Sequence, residues 1–288
     1  MEKKKNWLYE VWKVIYIPLL FLVTQGVTTF IIIMEILFYL ILTNFKQLIE
    51  NPELILSKYS NIVISNIYTI MLISEIICLV VMLLFWIMDR KKLEKKTESL
   101  SFVKILLIIF MSIGLNVIVT GILSFTGLEN LFPNHSEIMD TMNQAPFWMQ
   151  VMLAVILAPL VEELCFRGIV YNRLRKNLSL WPSVIIQAVF FGIIHLNMLQ
   201  FLYATIVGIV FGLMYHKTKS IWAVIIGHML FNLTSIIVGL LYEIGDVFGY
   251  IFLIMYFAFS ILVPLAGLLF YKTKSNIEVK VAEQPILE

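Results

Sequence analysis

Residues 161 to 168 read VEELCFRG and put Glu162, Glu163 and Arg167 inside an apolar run that begins near Phe147. Further along, FFGIIH ends at His195, and HMLFN supplies His228 and Asn232. Ionisable groups in a membrane helix are costly and tend to face the bundle interior or a wet cavity, so each is a functional candidate. A partly desolvated glutamate is basic enough to take a proton from water near neutral pH, and a neighbouring histidine can orient the same water. A histidine and an asparagine can donate hydrogen bonds to the oxyanion of a tetrahedral intermediate. Glu162, His195, His228 and Asn232 therefore read as a set for amide hydrolysis inside the membrane.

The spacing separates two roles. Glu163 and Arg167 stand four residues apart and pair along one helix face, while Glu162 points about 100° away and needs another partner. His228 and Asn232 share a face in the same way. Gln25, Glu35, Glu75 and Asn116 are scattered singly in the first three helices and read as interior hydrogen-bonding or interface groups. Other uses of the residues stay open. Glu162, His195 and His228 have the ligand types for a water-activating zinc, although no HExxH occurs, and no cofactor is the expectation. Cys165 could be a nucleophile with His195 as base, but a cysteine in an apolar helix is usually an inert small hydrophobe. The cluster could also be a satisfied polar network in a non-catalytic scaffold, or a proton or cation site centred on Glu162 in a transporter, against which the lack of an internal repeat argues.

These residues must be carried by membrane helices. The chain is 60% hydrophobic and 14% charged, with mean hydropathy +0.93, far above a soluble domain. The net charge of +2 implies no nucleic-acid partner. Cys78 and Cys165 form no CxxC or metal-type spacing. Apolar segments fall near 14–43, 62–88, 102–124, 147–171, 181–197, 200–215, 220–241 and 247–271, predicting an all-α bundle of about eight transmembrane helices. The basic start and apolar stretch at the N-terminus are too long for a signal peptide and read as an uncleaved first helix. Lys and Arg concentrate in alternate connections, so both termini are expected on the cytoplasmic side. The loop from 125 to 146 lacks Lys and Arg and is expected outside, with an interfacial helix. A single membrane domain over 1–274, carrying its chemistry in 155–235, precedes a polar tail at 275–288.

Depth along the helices brings the groups together. The midpoint of Glu162 and His195 falls between Leu178 and Ser179, where Ser179 and Pro182 mark a new helix start, so the two residues are predicted level. Reflection through turns near 198 and 218 brings Asn232 close to the same height, with His228 one turn nearer the cytoplasm. Ala204, Gly208 and Gly212 form a small-residue ridge that reads as helix packing.

EELCFRG, FFGIIH and HMLFN resemble, in order, the EExxxR, FxxxH and HxxxN elements of the CAAX protease and bacteriocin-processing (CPBP, or Abi) family of intramembrane endopeptidases, which includes the type II CAAX prenyl proteases. The resemblance implies Glu162 as catalytic base, His195 as its partner on water, Glu163 and Arg167 as a supporting pair, and His228 with Asn232 as oxyanion donors. It leaves both a metal-free and a zinc-dependent protease open. It implies a peptide or membrane-protein substrate within the lipid bilayer, or, among family members linked to bacteriocins, an immunity protein. Frequent Ile, Lys and Asn point to an AT-rich bacterial genome, and so to a bacterial cell membrane rather than to prenylated substrates.

Overall fold

The computed structural model describes residues 7–90, 100–242 and 246–273; the tail at 275–288 lies outside them. Among the described residues there is no strand, and the helices are α1 (Trp7–Thr43), α2 (Phe45–Glu50), α3 (Pro52–Ser65), α4 (Ile67–Arg90), α5 (Phe102–Thr126), α6 (Pro133–Asn143), α7 (Phe147–Leu174), α8 (Leu180–Ile193), α9 (Met198–Thr218), α10 (Ile221–Tyr242) and α11 (Asp246–Lys272). Seven of them, α1, α4, α5, α7, α9, α10 and α11, are long and apolar enough to cross a membrane. The chain is an integral, multi-pass membrane protein of all-α class.

The eighth predicted span is shorter than its apolar run suggested. The run 181–197 yields only the 14 residues of α8, which rise about 21 Å, less than the ~30 Å hydrocarbon layer. The chain then turns through residues 194–197, where Leu196 has φ 53° and the Asn197 side chain caps α9 by accepting from Gln200 N at 3.0 Å. His195 thus sits in this turn, just past the end of α8, and the turn comes a few residues earlier than the spacing predicted.

The alternation of basic connections has a structural counterpart. Arg173 at the end of α7 bonds both Asp89 oxygens at the end of α4, at 2.5 and 3.1 Å, and reaches the Lys13 carbonyl near the start of α1. Tyr171 OH lies 2.8 Å from His216 Nδ1 on α9, and Lys217 Nζ lies 5.3 Å from the Tyr271 ring centroid on α11. The basic ends of α1, α4, α7, α9 and α11 therefore share one end of the bundle, and the first and last described helices both emerge there.

At the opposite end the loop predicted to hold a helix does so. Its helix α6 rests His135 edge-on against Tyr203 of α9, with ring centroids 6.1 Å apart, and Tyr68 OH of α4 donates to Thr141 O at 2.6 Å.

Close approach of the helices depends on small residues, because lipid supplies no hydrophobic drive for helix association. The predicted ridge on α9 packs on α8: a Cβ added at Gly208 would lie 3.0 Å from the Ala188 Cβ, and one at Gly212 would lie 2.6 Å from Gln187 Nε2. In α5, Gly114 and Gly121 receive Phe259 and Tyr256 of α11 in the same manner. At Gly192 an added Cβ would meet Thr205 Oγ1 at 2.4 Å and the Phe201 carbonyl at 2.8 Å, whereas at Gly239 it would meet nothing within 4 Å. Gly192→Ala is expected to lower stability by about 1–3 kcal/mol through overpacking. Gly239→Ala should stay within about 0.5 kcal/mol of the parent. Thermal unfolding of both variants in the same detergent checks the contrast.

Candidate active site

The helix carrying VEELCFRG is not a uniform α-helix. Within α7, Val151–Leu157 and Leu164–Tyr171 wind as π-helix, and the six α-helical residues Ala158–Glu163 lie between them. π turns occur mostly as single insertions, frequently at functional sites, and they free backbone carbonyls that need other donors. Both stretches have such a donor. Asn172 Nδ2 donates to the Arg167 and Gly168 carbonyls at 3.1 and 2.9 Å. Asn232 Nδ2, from α10, donates to the Ala154 carbonyl at 2.7 Å.

The expected Glu163–Arg167 pair forms at 2.8 Å with both side chains fully buried. Arg167 Nη2 also donates to the Gly208 carbonyl of α9 at 3.1 Å, and its guanidinium carbon lies 4.7 Å from the Phe191 ring centroid and 5.8 Å from that of Phe211. His228 closes the network, with Nδ1 2.9 Å from Glu163 Oε1 and Nε2 3.8 Å from Glu162 Oε2. One imidazole therefore stands between the two adjacent glutamates. Glu162 keeps 13% of its side-chain surface where Glu163 keeps none, so Glu162 is the member of the pair that a water can reach.

His195 is held in one orientation by its own helix end. Its Nδ1 lies 2.8 Å from the Phe191 carbonyl; a carbonyl only accepts, so Nδ1 carries the proton and Nε2 of the neutral ring is left as an acceptor. Phe191 packs edge-on against both imidazoles, its centroid 5.2 Å from that of His195 and 5.8 Å from that of His228. The direct partner of Glu162 among the described residues is His228, and no hydrogen bond or ion pair joins it to His195.

The structure thus gathers Glu162, Glu163, Arg167 and His228 into one network, packs His195 on Phe191, and turns one amide hydrogen of Asn232 onto α7. Of the three residues with the ligand types for zinc, Glu162 and His228 lie 3.8 Å apart, and His195 makes no hydrogen bond or ion pair with either. Among the described residues no group of three or more His, Cys, Asp or Glu is arranged to hold a metal ion. Cys165 is fully buried in the core.

Two further contacts were not legible as parts of a motif. Gln187, fully buried on α8, donates to the same Gly208 carbonyl as Arg167, at 2.9 Å. Gln25 of α1 donates to Glu75 Oε1 of α4 at 2.6 Å. A polar side chain in an apolar helix was the available signal for each, but it does not say which neighbour the side chain meets.

Residues 144–234 match the family described as type II CAAX prenyl endopeptidase Rce1-like. Over 114 residues the chain is 29% identical to a protein of Bacillus subtilis (strain 168) described as "Putative membrane peptidase YdiL", an alignment that covers 40% of this chain and 46% of that protein. Over this segment the chain is similar to the CPBP, or CAAX protease, family. The chain spans less than half the length of that curated relative, and no solved structure matches it.

The part matched to the CPBP family runs from the residues before α7 into α10 and contains Glu162, Glu163, Arg167, His195, His228 and Asn232. Within it the ion pair is the costliest element to disturb, because removing one partner leaves an uncompensated charge in the core. Glu163→Leu is expected to destabilise the protein by about 3–5 kcal/mol. The double variant Glu163→Leu/Arg167→Leu should recover a large part of that loss. A double-mutant cycle by thermal unfolding in detergent measures the coupling.

Proposed function

We propose that this chain is an intramembrane endopeptidase that hydrolyses a peptide bond of a peptide or membrane-protein substrate with a water held by Glu162 and His195. The observation that carries this reading is the contrast between adjacent glutamates. Glu163 is sealed in an ion pair and a histidine contact, while Glu162 retains surface and no basic side chain of its own other than the shared His228. Similarity of residues 144–234 to a family of prenyl endopeptidases supports it.

In this reading the water lies between a Glu162 oxygen and His195 Nε2, the one ring nitrogen not used by the Phe191 carbonyl. Glu162 takes a proton as the water oxygen bonds to the scissile carbonyl carbon, and the carbonyl oxygen becomes an oxyanion. His228 and the second amide hydrogen of Asn232 donate to that oxyanion. Because Nδ1 of His228 already bonds Glu163, the oxyanion role needs a ring protonated on both nitrogens, a cation balanced by two carboxylates. The tetrahedral intermediate then collapses, the C–N bond breaks, and Glu162 returns its proton to the leaving amine. No step requires a metal. The basic end of the bundle faces the cytoplasm by the positive-inside rule.

Purified Glu162→Gln and His195→Ala variants are expected to keep the parent's thermal transition and to lose cleavage of a peptide substrate by about 10²- to 10⁴-fold, the range of a positioned acid or base. Cys165→Ser should cleave at the parent rate. Activity should survive exhaustive chelation. Retained cleavage by Glu162→Gln overturns the assignment, and loss on chelation restored only by zinc replaces it with a metalloprotease.

A further inference from the structure

Helix α6 lies just ahead of the segment matched to the family, at the end of the bundle opposite the basic one, and its two ends are held differently. At the C-terminal end Thr141 O accepts from Tyr68 OH of α4 at 2.6 Å, and Gln150 Nε2 donates to the Asn143 and Ala145 carbonyls at 3.1 and 2.8 Å. Met142 packs there, with Met71 and Leu72 of α4, against Ala145, Met149 and Leu153. At the N-terminal end the chain arrives from α5 through Gly127, in the left-handed region at φ 63°, and a short 3₁₀ turn, Leu128–Leu131, that buries no side chain. What holds that end is His135, only 4% exposed, whose ring lies edge-on to Tyr203 of α9 with centroids 6.1 Å apart.

His135, Met139 and Met142 are spaced four and three apart and so share the inward face of α6. A histidine thus stands where an apolar residue would anchor the helix, and among the described side chains of α6 it is the buried one. Its Nδ1 is buried with no hydrogen-bond partner. In a neutral ring with its proton on Nε2, that nitrogen is a bare acceptor; in an imidazolium it becomes a cationic donor with nothing to accept from it. A buried charge without a partner is far costlier than a buried neutral acceptor. The titratable groups facing His135 are Glu129 from the preceding turn and the Tyr203 phenol from α9. Tyr68 of α4 reaches only the far end of the helix, and Glu137 and Asp140 of α6 itself are exposed. Burial holds the imidazole below its ordinary value of about 6.5, against the opposing pull of the exposed Glu129 carboxylate.

We propose that α6 is a pH-sensitive lid over the extracytoplasmic ends of α4 and α9: neutral His135 docks its N-terminal half on Tyr203, and protonation of His135 releases that half while the end at Thr141 stays tied to Tyr68. The docked helix takes up a proton less readily than the undocked one. Docking is therefore complete above about pH 6.5 and is lost as the pH falls below it, by up to about tenfold in the docking equilibrium per pH unit. The lid rests on the helix whose N-cap, Asn197, stands two residues after His195, so its release uncovers the outer flank of the helix that begins at that turn. A lid of this kind is independent of whether the bundle cleaves peptides.

Hydrogen exchange of the full chain in lipid nanodiscs, read by mass spectrometry at about pH 7.5 and about pH 5 and corrected for the intrinsic pH dependence of exchange, follows the lid directly. In the parent, protection of the amides of residues 133–143 should fall by about fivefold or more at the lower pH, while that of Leu164–Tyr171 in α7 stays unchanged. His135→Phe keeps a ring against Tyr203 and has no proton to take up, so its α6 should hold the same protection at both pH values within about twofold. His135→Leu makes the same comparison with an aliphatic anchor. Glu129→Gln removes the carboxylate that favours the cation and should deepen the acid loss. Equal protection of the parent's α6 at both pH values overturns the proposal, as does a parent-like acid loss in His135→Phe and His135→Leu, or a loss in the parent that α7 shares. Disappearance of the loss in Glu129→Gln assigns the sensor to that carboxylate and also overturns it.

Discussion

A guanidinium with no access to solvent must keep an anion beside it, and Arg167 is such a group. Moving either ion of the Glu163–Arg167 pair from water to the interior costs several kcal/mol, which their attraction offsets only if the remaining donors and acceptors are also used. The surroundings of the pair follow that requirement. Gly208 offers its carbonyl because it has no side chain to hold α8 and α9 apart, Phe191 and Phe211 turn ring faces to the guanidinium, and His228 takes Glu163 Oε1 from the third side. The same commitment disqualifies Glu163 as a base for water, since taking a proton would dissolve the pair that supports it. The neighbouring position carries no such commitment, and Glu162 occupies it with its surface partly open.

The winding of α7 extends this division. A π turn inserts one residue relative to an α-helix, so the side chains beyond it are rotated around the axis by about 100°. Two such stretches flank the glutamates, and the backbone carbonyls they free are taken by Asn172 and Asn232. Asn232 therefore ties α10 to α7 with one amide hydrogen, and the proposed mechanism uses the other. A histidine oriented by its own backbone, a second one oriented by Glu163, and an asparagine anchored to a π turn are each held by the protein itself, and in the proposed mechanism groups held in this way cost no reorganisation during the reaction.

What was legible in the residues is what local geometry determines. The Glu163–Arg167 pair follows from a four-residue spacing, and the spans follow from apolar length. The closeness of His228 to Glu162 fits the rise per residue to within a turn. What helical rise does not contain is azimuth. Height alone left His228 with Asn232 or with Glu162 at a metal, while the structure turns it onto both glutamates. Nor does an apolar pattern distinguish i→i+4 from i→i+5 hydrogen bonding, so the π stretches had no signature. The run 181–197 read as a full span because its last residues are apolar, yet Leu196 adopts a left-handed φ and Asn197 caps the next helix, which ends α8 at Ile193. Gln25 and Glu75 read as isolated polar residues because they lie 50 positions apart on helices whose mutual rotation no local pattern encodes.

The segment that carries the family's motifs is not by itself a unit that can bury its charges. The face of α7 opposite α8 and α10 is covered by α4, where Trp86 packs so closely on Gly168 that an added Cβ would lie 2.6 Å from its ring, and by α1 through Phe21, whose ring centroid stands 6.5 Å from that of Phe166. Removing those helices would expose the π stretch at Leu164–Tyr171 to lipid, and backbone groups that depart from regular helix are tolerated at membrane depth only where protein or an aqueous cavity surrounds them. The low-dielectric enclosure that makes Glu163 and Arg167 hold each other is therefore completed by residues far outside the motifs. The functional unit is the bundle, with the N-terminal helices supplying the wall against which α7 can afford its irregular turns.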